Sequence, residues 1–229
     1  MRSVIGAAVA LGVLAGGALV YMGAAGEGNA ASDVADTVVA PGVVETAACT
    51  LSDTTFAAIE DATTGDVAAM KPWRTASERG LDIGDLAFEG PDGSPTTLND
   101  AGEGLKLLNL WATWCAPCRA EMPELDELHA LEGEDGFGVV ALNVDLGEAD
   151  KPLAFWDEVG MSHAPFYRDP SLNTFNALKA AGIAVGLPVT ALVDEDGCVL
   201  AAMNGPAAWA SPDARALVAA ARDTLAQGQ

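Results

Sequence analysis

Two cysteines in the string Trp111-Ala112-Thr113-Trp114-Cys115-Ala116-Pro117-Cys118-Arg119 are the residues of this chain best suited to covalent chemistry. A thiolate attacks a disulfide sulfur, and a second thiol within reach then resolves the mixed disulfide. The run Lys106 to Ala112 reads as a buried strand, and Cys115 to about Leu131 has helical spacing with Pro123 as a kink. Cys115 therefore falls at a helix N-terminus, where free N–H groups and the positive end of the helix dipole stabilise a thiolate. Cys118 follows nearly one turn later, so Cys115 is expected to attack and Cys118 to resolve. Pro117 restricts the loop between them and holds the sulfurs near disulfide geometry.

A Cys-x-x-Cys pair also serves as half of a structural zinc site, which needs four ligands and usually a second close pair. The remaining candidates are the isolated Cys49 and Cys198 with His129 and His163. No metal is expected, and no cofactor besides the redox-active Cys115–Cys118 disulfide. His129, in the helix, and His163, in a loop before Pro165, read as surface or boundary residues.

The elements that position the pair follow from periodicity. Asp85 to Asn99 alternates around Pro91-Asp92-Gly93 and predicts a β-hairpin. Phe137 to Val144 is a second apolar strand, Pro152 to Gly160 and Pro170 to Ala181 are helices, and Pro188–Val193 with Cys198–Met203 form a hairpin about Asp194–Gly197. Ser211-Pro212-Asp213 opens a last helix. The core order is βαβαββα. Before it, Cys49 to about Lys71 has loosely helical spacing, and Glu27 to Ala48, rich in Ala, Gly, Asp and Val, reads as a tether.

Arg2 and Glu27 bracket an uncharged, apolar stretch, long enough for the span of about 20 residues that a bilayer requires. It is expected to be an uncleaved anchor, although Gly28-Asn29-Ala30 also offers a weak cleavage site. With Arg2 the basic residue near the N-terminus, the rest of the chain would lie outside the cytoplasm. The expected organisation is an anchor at 1–26, a flexible tether at 27–48, a helical extension at 49–80 and an α/β domain at 81–229. Thirty-three acidic against eleven basic side chains, a net charge of −22, exclude nucleic acid as a natural partner.

The string WATWCAPCRAEMPELDEL resembles the active-site strand and helix of the TlpA and ResA group of anchored, extracytoplasmic thioredoxins, and the similarity covers about Leu81 to the C-terminus. The resemblance implies a thioredoxin-like fold and thiol:disulfide oxidoreductase activity. It likens GLPVTALVDEDGC to a strand opened by a cis-proline. Pro188 would then sit opposite the dithiol, with the backbone of Leu187 pairing with the substrate strand. Read without it, Pro188 is an edge-strand proline. Trp114 is expected at the rim of the site and Trp111 in the core. Glu121, three residues after Cys118, matches an acid that ResA-like members hold beside the site, where it could take the proton of Cys118. A solvated first-turn glutamate fits the same position. Cytoplasmic thioredoxins carry a buried aspartate six residues before the first cysteine, whereas this chain has Asn109.

Four cysteines allow three pairings, and with Cys115 and Cys118 as the redox pair only Cys49 and Cys198 remain to be joined if all are oxidised. Two unrelated buried thiols are the alternative. The pattern, with GPAAWASPDARALV near the end, resembles TlpA itself, in which the second disulfide is structural.

The resemblance implies a periplasm-facing dithiol reductant on a bacterial inner membrane, fed by a membrane electron donor. Its substrates would be copper-site cysteines of Sco-type chaperones and of cytochrome c oxidase subunit II. Cytochrome c maturation thioredoxins, which reduce apocytochrome cysteines, usually carry Tyr-Gly-x-Pro-Glu at the cis-proline, where this chain has Val185-Gly186-Leu187-Pro188-Val189. A copper-binding chaperone can share the fold, but the Sco type uses Cys-x-x-x-Cys with a distal histidine, one residue longer than the spacing here.

Overall fold

The strand leading to the dithiol, Leu105–Trp111, is buried at every position, which explains its near-continuous apolar run. In the computed structural model, which describes residues 35–75, 78–133 and 136–227, this strand lies inside an eight-stranded sheet. The strands are β1 (Thr37–Ala40), β2 (Val43–Thr46), β3 (Lys71–Pro72), β4 (Gly80–Asp82), β5 (Ala87–Glu89), β6 (Pro95–Thr97), β7 (Leu105–Trp111), β8 (Phe137–Asn143), β9 (Phe166–Arg168), β10 (Val189–Val193) and β11 (Val199–Asn204). The helices are α1 (Asp53–Ala62), α2 (Ala116–Glu132), α3 (Asp150–Glu158), α4 (Asn173–Ala180) and α5 (Pro212–Gln227).

The large sheet runs β3-β11-β10-β7-β8-β9-β5-β6, with β7, β8 and β9 parallel and the other neighbours antiparallel. This is the expected thioredoxin-like α/β core. Between the two expected helices of the core lies a strand that was not expected: β9, three residues long, pairs in parallel with β8. Its loop is tied to α2 by Asp126, whose carboxylate accepts the backbone N–H groups of Ser162, His163 and Ala164. Trp111, fully buried at the end of β7, packs against Phe155 and Trp156 of α3 with ring centroids 5.5 and 6.0 Å apart.

Residues 37–46, expected as tether, instead form the hairpin β1–β2, which β4 extends into a three-stranded antiparallel sheet. Pro41-Gly42 is its turn, with Gly42 at φ +73°, a conformation that side chains disfavour. Val43 is fully buried, so the segment contributes apolar surface to the core. Within the stretch expected to be helical, α1 and a 3₁₀ turn at Gly65–Val67 are followed by two strands, β3 against β11 and β4 against β2. Ser52 caps α1 by accepting from the Thr55 N–H, and α1 packs on α5. Gly80 leaves room for Cys49: a Cβ there would lie 1.7 Å from the Cys49 carbonyl oxygen. Among the described residues no helix is long and apolar enough to cross a membrane, and the expected anchor at 1–26 lies outside them.

Candidate active site

Cys115 is the N-cap of α2, in extended backbone, and its Sγ accepts from the Cys118 N–H at 3.3 Å. The two sulfurs are bonded. Both cysteines are buried, Cys118 completely, and what exposure the pair keeps, 5% of the residue, is at Cys115. The preceding loop is held by buried Asp145, just beyond β8. Its Oδ2 accepts from the Thr113 N–H and the Asn143 side-chain amide, both at 2.8 Å, and its Oδ1 accepts from the Thr113 hydroxyl at 3.1 Å. Sequence reasoning passed over Asp145, which lies 32 residues from Thr113 and meets it only through the β7–β8 pairing.

Trp114 stands out at 66% exposed, at one edge of a cleft of about 370 Å³ that Val144, Leu146, Lys151 and Leu172 also line. A cleft of about 530 Å³ lies elsewhere, between the β1–β2 turn, β5 and α4. Neither cysteine of the pair lines either cleft; the smaller one is bordered by Trp114, the residue before Cys115, and by Asp145, which holds the dithiol loop.

The Leu187–Pro188 peptide bond is cis. Val189 pairs with Leu110, which sets Pro188 level with Trp111 at the sheet end where β7 enters the dithiol loop. The Pro188 carbonyl accepts from Gly205 N–H at 2.9 Å, and Leu187 packs partly buried against the core. Nearby, Asn204 Oδ1 accepts from the Val185 N–H at 2.7 Å.

Glu121 is 3% exposed, on the buried face of α2 three residues past Cys118. It is not a solvated first-turn glutamate. Its Oε1 accepts from Asn109 Nδ2 at 2.9 Å, and its Oε2 accepts from Trp209 Nε1 at 3.0 Å and the Ala207 N–H at 3.2 Å. Burial pushes its carboxyl up to about 7, against these three bonds, and the nearby Glu124 charge adds to the rise. Trp209, Ala207 and Thr190, which accepts from Asn109 Nδ2 at 3.0 Å, carry no local signal of a role in the sequence.

Far along the chain from this pair, Cys49 and Cys198 are joined by a disulfide, both buried, with a sequence separation of 149. His129 accepts the Val139 N–H through Nδ1, and His163 is exposed. Among the described residues no group of three or more His, Cys, Asp or Glu side chains is disposed to hold a metal ion.

Comparison with known proteins places the chain in a family. The redoxin family model matches residues 78–218. The thioredoxin-like protein YneN of Bacillus subtilis is 32% identical over 124 residues, 53% of this chain and 69% of that protein. The thiol-disulfide oxidoreductase ResA of Halalkalibacterium halodurans is 31% identical over 133 residues, 58% of this chain and 72% of that protein. The crystal structure of a DsbE-type thiol:disulfide interchange protein from Chlorobium tepidum matches with a TM-score of 0.52 at 28% identity, covering 61% of this chain and 95% of that one.

Proposed function

The chain belongs to the redoxin family, among its TlpA/ResA-type thiol:disulfide oxidoreductases, and from that premise we propose that it is an extracytoplasmic reductant of protein disulfides working through Cys115 and Cys118. The observations that carry the division of labour are the place of Cys115 at the helix N-cap and the unequal burial of the pair, Cys118 having no exposed surface and Cys115 a little. Once reduced, Cys115 as a thiolate attacks a substrate disulfide, and Cys118 attacks Cys115 Sγ in the mixed disulfide, releasing the reduced substrate. Glu121, on the same helix face, takes the proton of Cys118. Pro188 and Leu187, at the same sheet end, position the substrate strand, and Trp114 packs against it from the rim.

The substrates we assign are copper-site cysteines of Sco-type chaperones and of cytochrome c oxidase subunit II. Supporting this are the Cys49–Cys198 disulfide that ties the N-terminal segment to β11, a TlpA-like trait, and the absence of a Tyr-Gly-x-Pro-Glu string before β10. The proposed place is the outer face of a bacterial inner membrane, with 1–26 as anchor and a membrane protein as electron donor. A buried disulfide remote from the redox pair suits such an oxidising compartment. The test is trapping: full-length Cys118→Ser should accumulate mixed disulfides with the copper chaperone or the oxidase subunit. Capture of apocytochromes c alone, with cytochrome oxidase assembled normally in a strain lacking the protein, would move the function to cytochrome c maturation.

A further inference from the structure

Glu121 is met by donors alone. Asn109 Nδ2, Trp209 Nε1 and the Ala207 N–H all point hydrogens at its oxygens, a cage that suits a carboxylate and offers no acceptor for the O–H of a carboxylic acid. Asn109 is unbalanced in the opposite sense. Its Nδ2 gives one hydrogen to Glu121 and the other to Thr190 Oγ1, while its Oδ1 is buried without a hydrogen-bond partner and the residue has no exposed surface. A half-turn of the amide about its Cβ–Cγ bond exchanges the two atoms. Oδ1 then stands where Nδ2 did, in reach of Glu121 and of the Thr190 hydroxyl, each able to donate an O–H to it.

We propose that Asn109 is a positioning residue for proton transfer, its amide offering N–H to the Glu121 carboxylate and, once reversed, C=O to the Glu121 carboxylic acid. The inference rests on Glu121 being the proton acceptor of Cys118. In the resolving step the Cys118 S–H gives its proton to Glu121 as its sulfur attacks Cys115 Sγ. The bond between Cys115 and the substrate sulfur breaks, and its electron pair leaves with the substrate as thiolate. The Cys115–Cys118 bond forms, so the protein dithiol is oxidised by the two electrons that reduce the substrate. Glu121, now an acid, donates to Asn109 Oδ1 and returns to the present arrangement when its proton passes to water. Neither orientation leaves the carboxyl group unpaired, and an aspartate at 109 would instead set a second carboxyl against the first.

The charges around Glu121 are few. Among the described residues Glu124, on α2 itself, is the charged group acting on it, while β7 brings Asn109, β10 brings Thr190 and the segment after β11 brings Ala207 and Trp209, all neutral. The proton uptake is thus read at Glu121 itself, with Glu124 as the neighbouring carboxyl that raises its midpoint.

The test follows the side chains by NMR in the oxidised full-length chain, with ¹⁵N in asparagine and ¹³C in glutamate, from about pH 5 to pH 9. Through-bond assignment identifies the Asn109 amide, and Asn109→Leu checks it if that variant folds. The Asn109 amide resonances should shift with the same midpoint as the Glu121 carboxyl carbon and stay fixed in Glu121→Gln. An Asn109 amide that is unmoved while Glu121 titrates overturns the inference and leaves the role of Glu121 standing. A Glu121 that does not titrate in this range, with thiol exchange in Glu121→Gln unchanged at every pH, overturns both.

Discussion

Removing the Cys49–Cys198 disulfide should destabilise the protein far more than removing the Cys115–Cys118 one. The two bonds differ in what they close: sequence separations of 149 and 3. In the chain-entropy relation a loop of the first size restricts the unfolded chain by about 5 kcal/mol, and one of the second by under about 2 kcal/mol. The native state loses little else in Cys49→Ala/Cys198→Ala, because β3 still pairs with β11, β4 with β2, and α1 packs on α5. A loss of about 5 kcal/mol is a third or more of the stability of an ordinary domain and lowers Tm by roughly 10–20 °C at this size. Urea unfolding of oxidised wild type and of each double alanine variant measures it, and the m-value should rise in Cys49→Ala/Cys198→Ala as the unfolded chain expands. A destabilisation below about 1 kcal/mol for this variant, or equal losses for the two pairs, would refute the loop argument.

The burial of Glu121 makes a pH prediction with a definite sign. With its carboxyl raised to about 7 from 4.5, the folded protein keeps a proton that the unfolded chain releases. The stability so contributed is fully present below about pH 4.5 and is lost as pH rises through about 7, in total about 3 kcal/mol. Tm compared at pH 5 and pH 8 should show this fall in wild type and a reduced one in Glu121→Gln, where Asp194, raised to about 6 by burial, still contributes. Trp209→Phe removes an N–H that favours the ionised form, so the pH inflection of thiol exchange should move upward in stopped-flow assays. Asp145→Ala strands the buried N–H of Thr113, and should cost about 1–3 kcal/mol in denaturant unfolding while slowing exchange at Cys115.

The dithiol was legible because its signal is local: an apolar strand, a helix start and two cysteines occupy one short string. The Glu121 cage was not, since Trp209 is 88 residues away and reaches Glu121 only when α2 and the segment after β11 fold together. Asn109 announced a departure from an aspartate but not what its amide would hold. The β1–β2 hairpin was misread as tether because four-residue strands are too short to establish a period, and Pro41-Gly42 marks a linker as readily as a turn. β9, at three residues, fails for the same reason. The cis bond before Pro188 stands where the family resemblance put it, while the residues read by themselves gave an edge-strand proline.

The central claim, reversible chemistry at Cys115 and Cys118, is tested most directly by a redox equilibrium of the full chain against a glutathione or dithiothreitol buffer, read by Trp114 fluorescence. The account predicts a two-electron transition below about −200 mV, absent in Cys115→Ser and retained in Cys49→Ala/Cys198→Ala. A transition that survives Cys115→Ser, or none at all in the wild type, would contradict it.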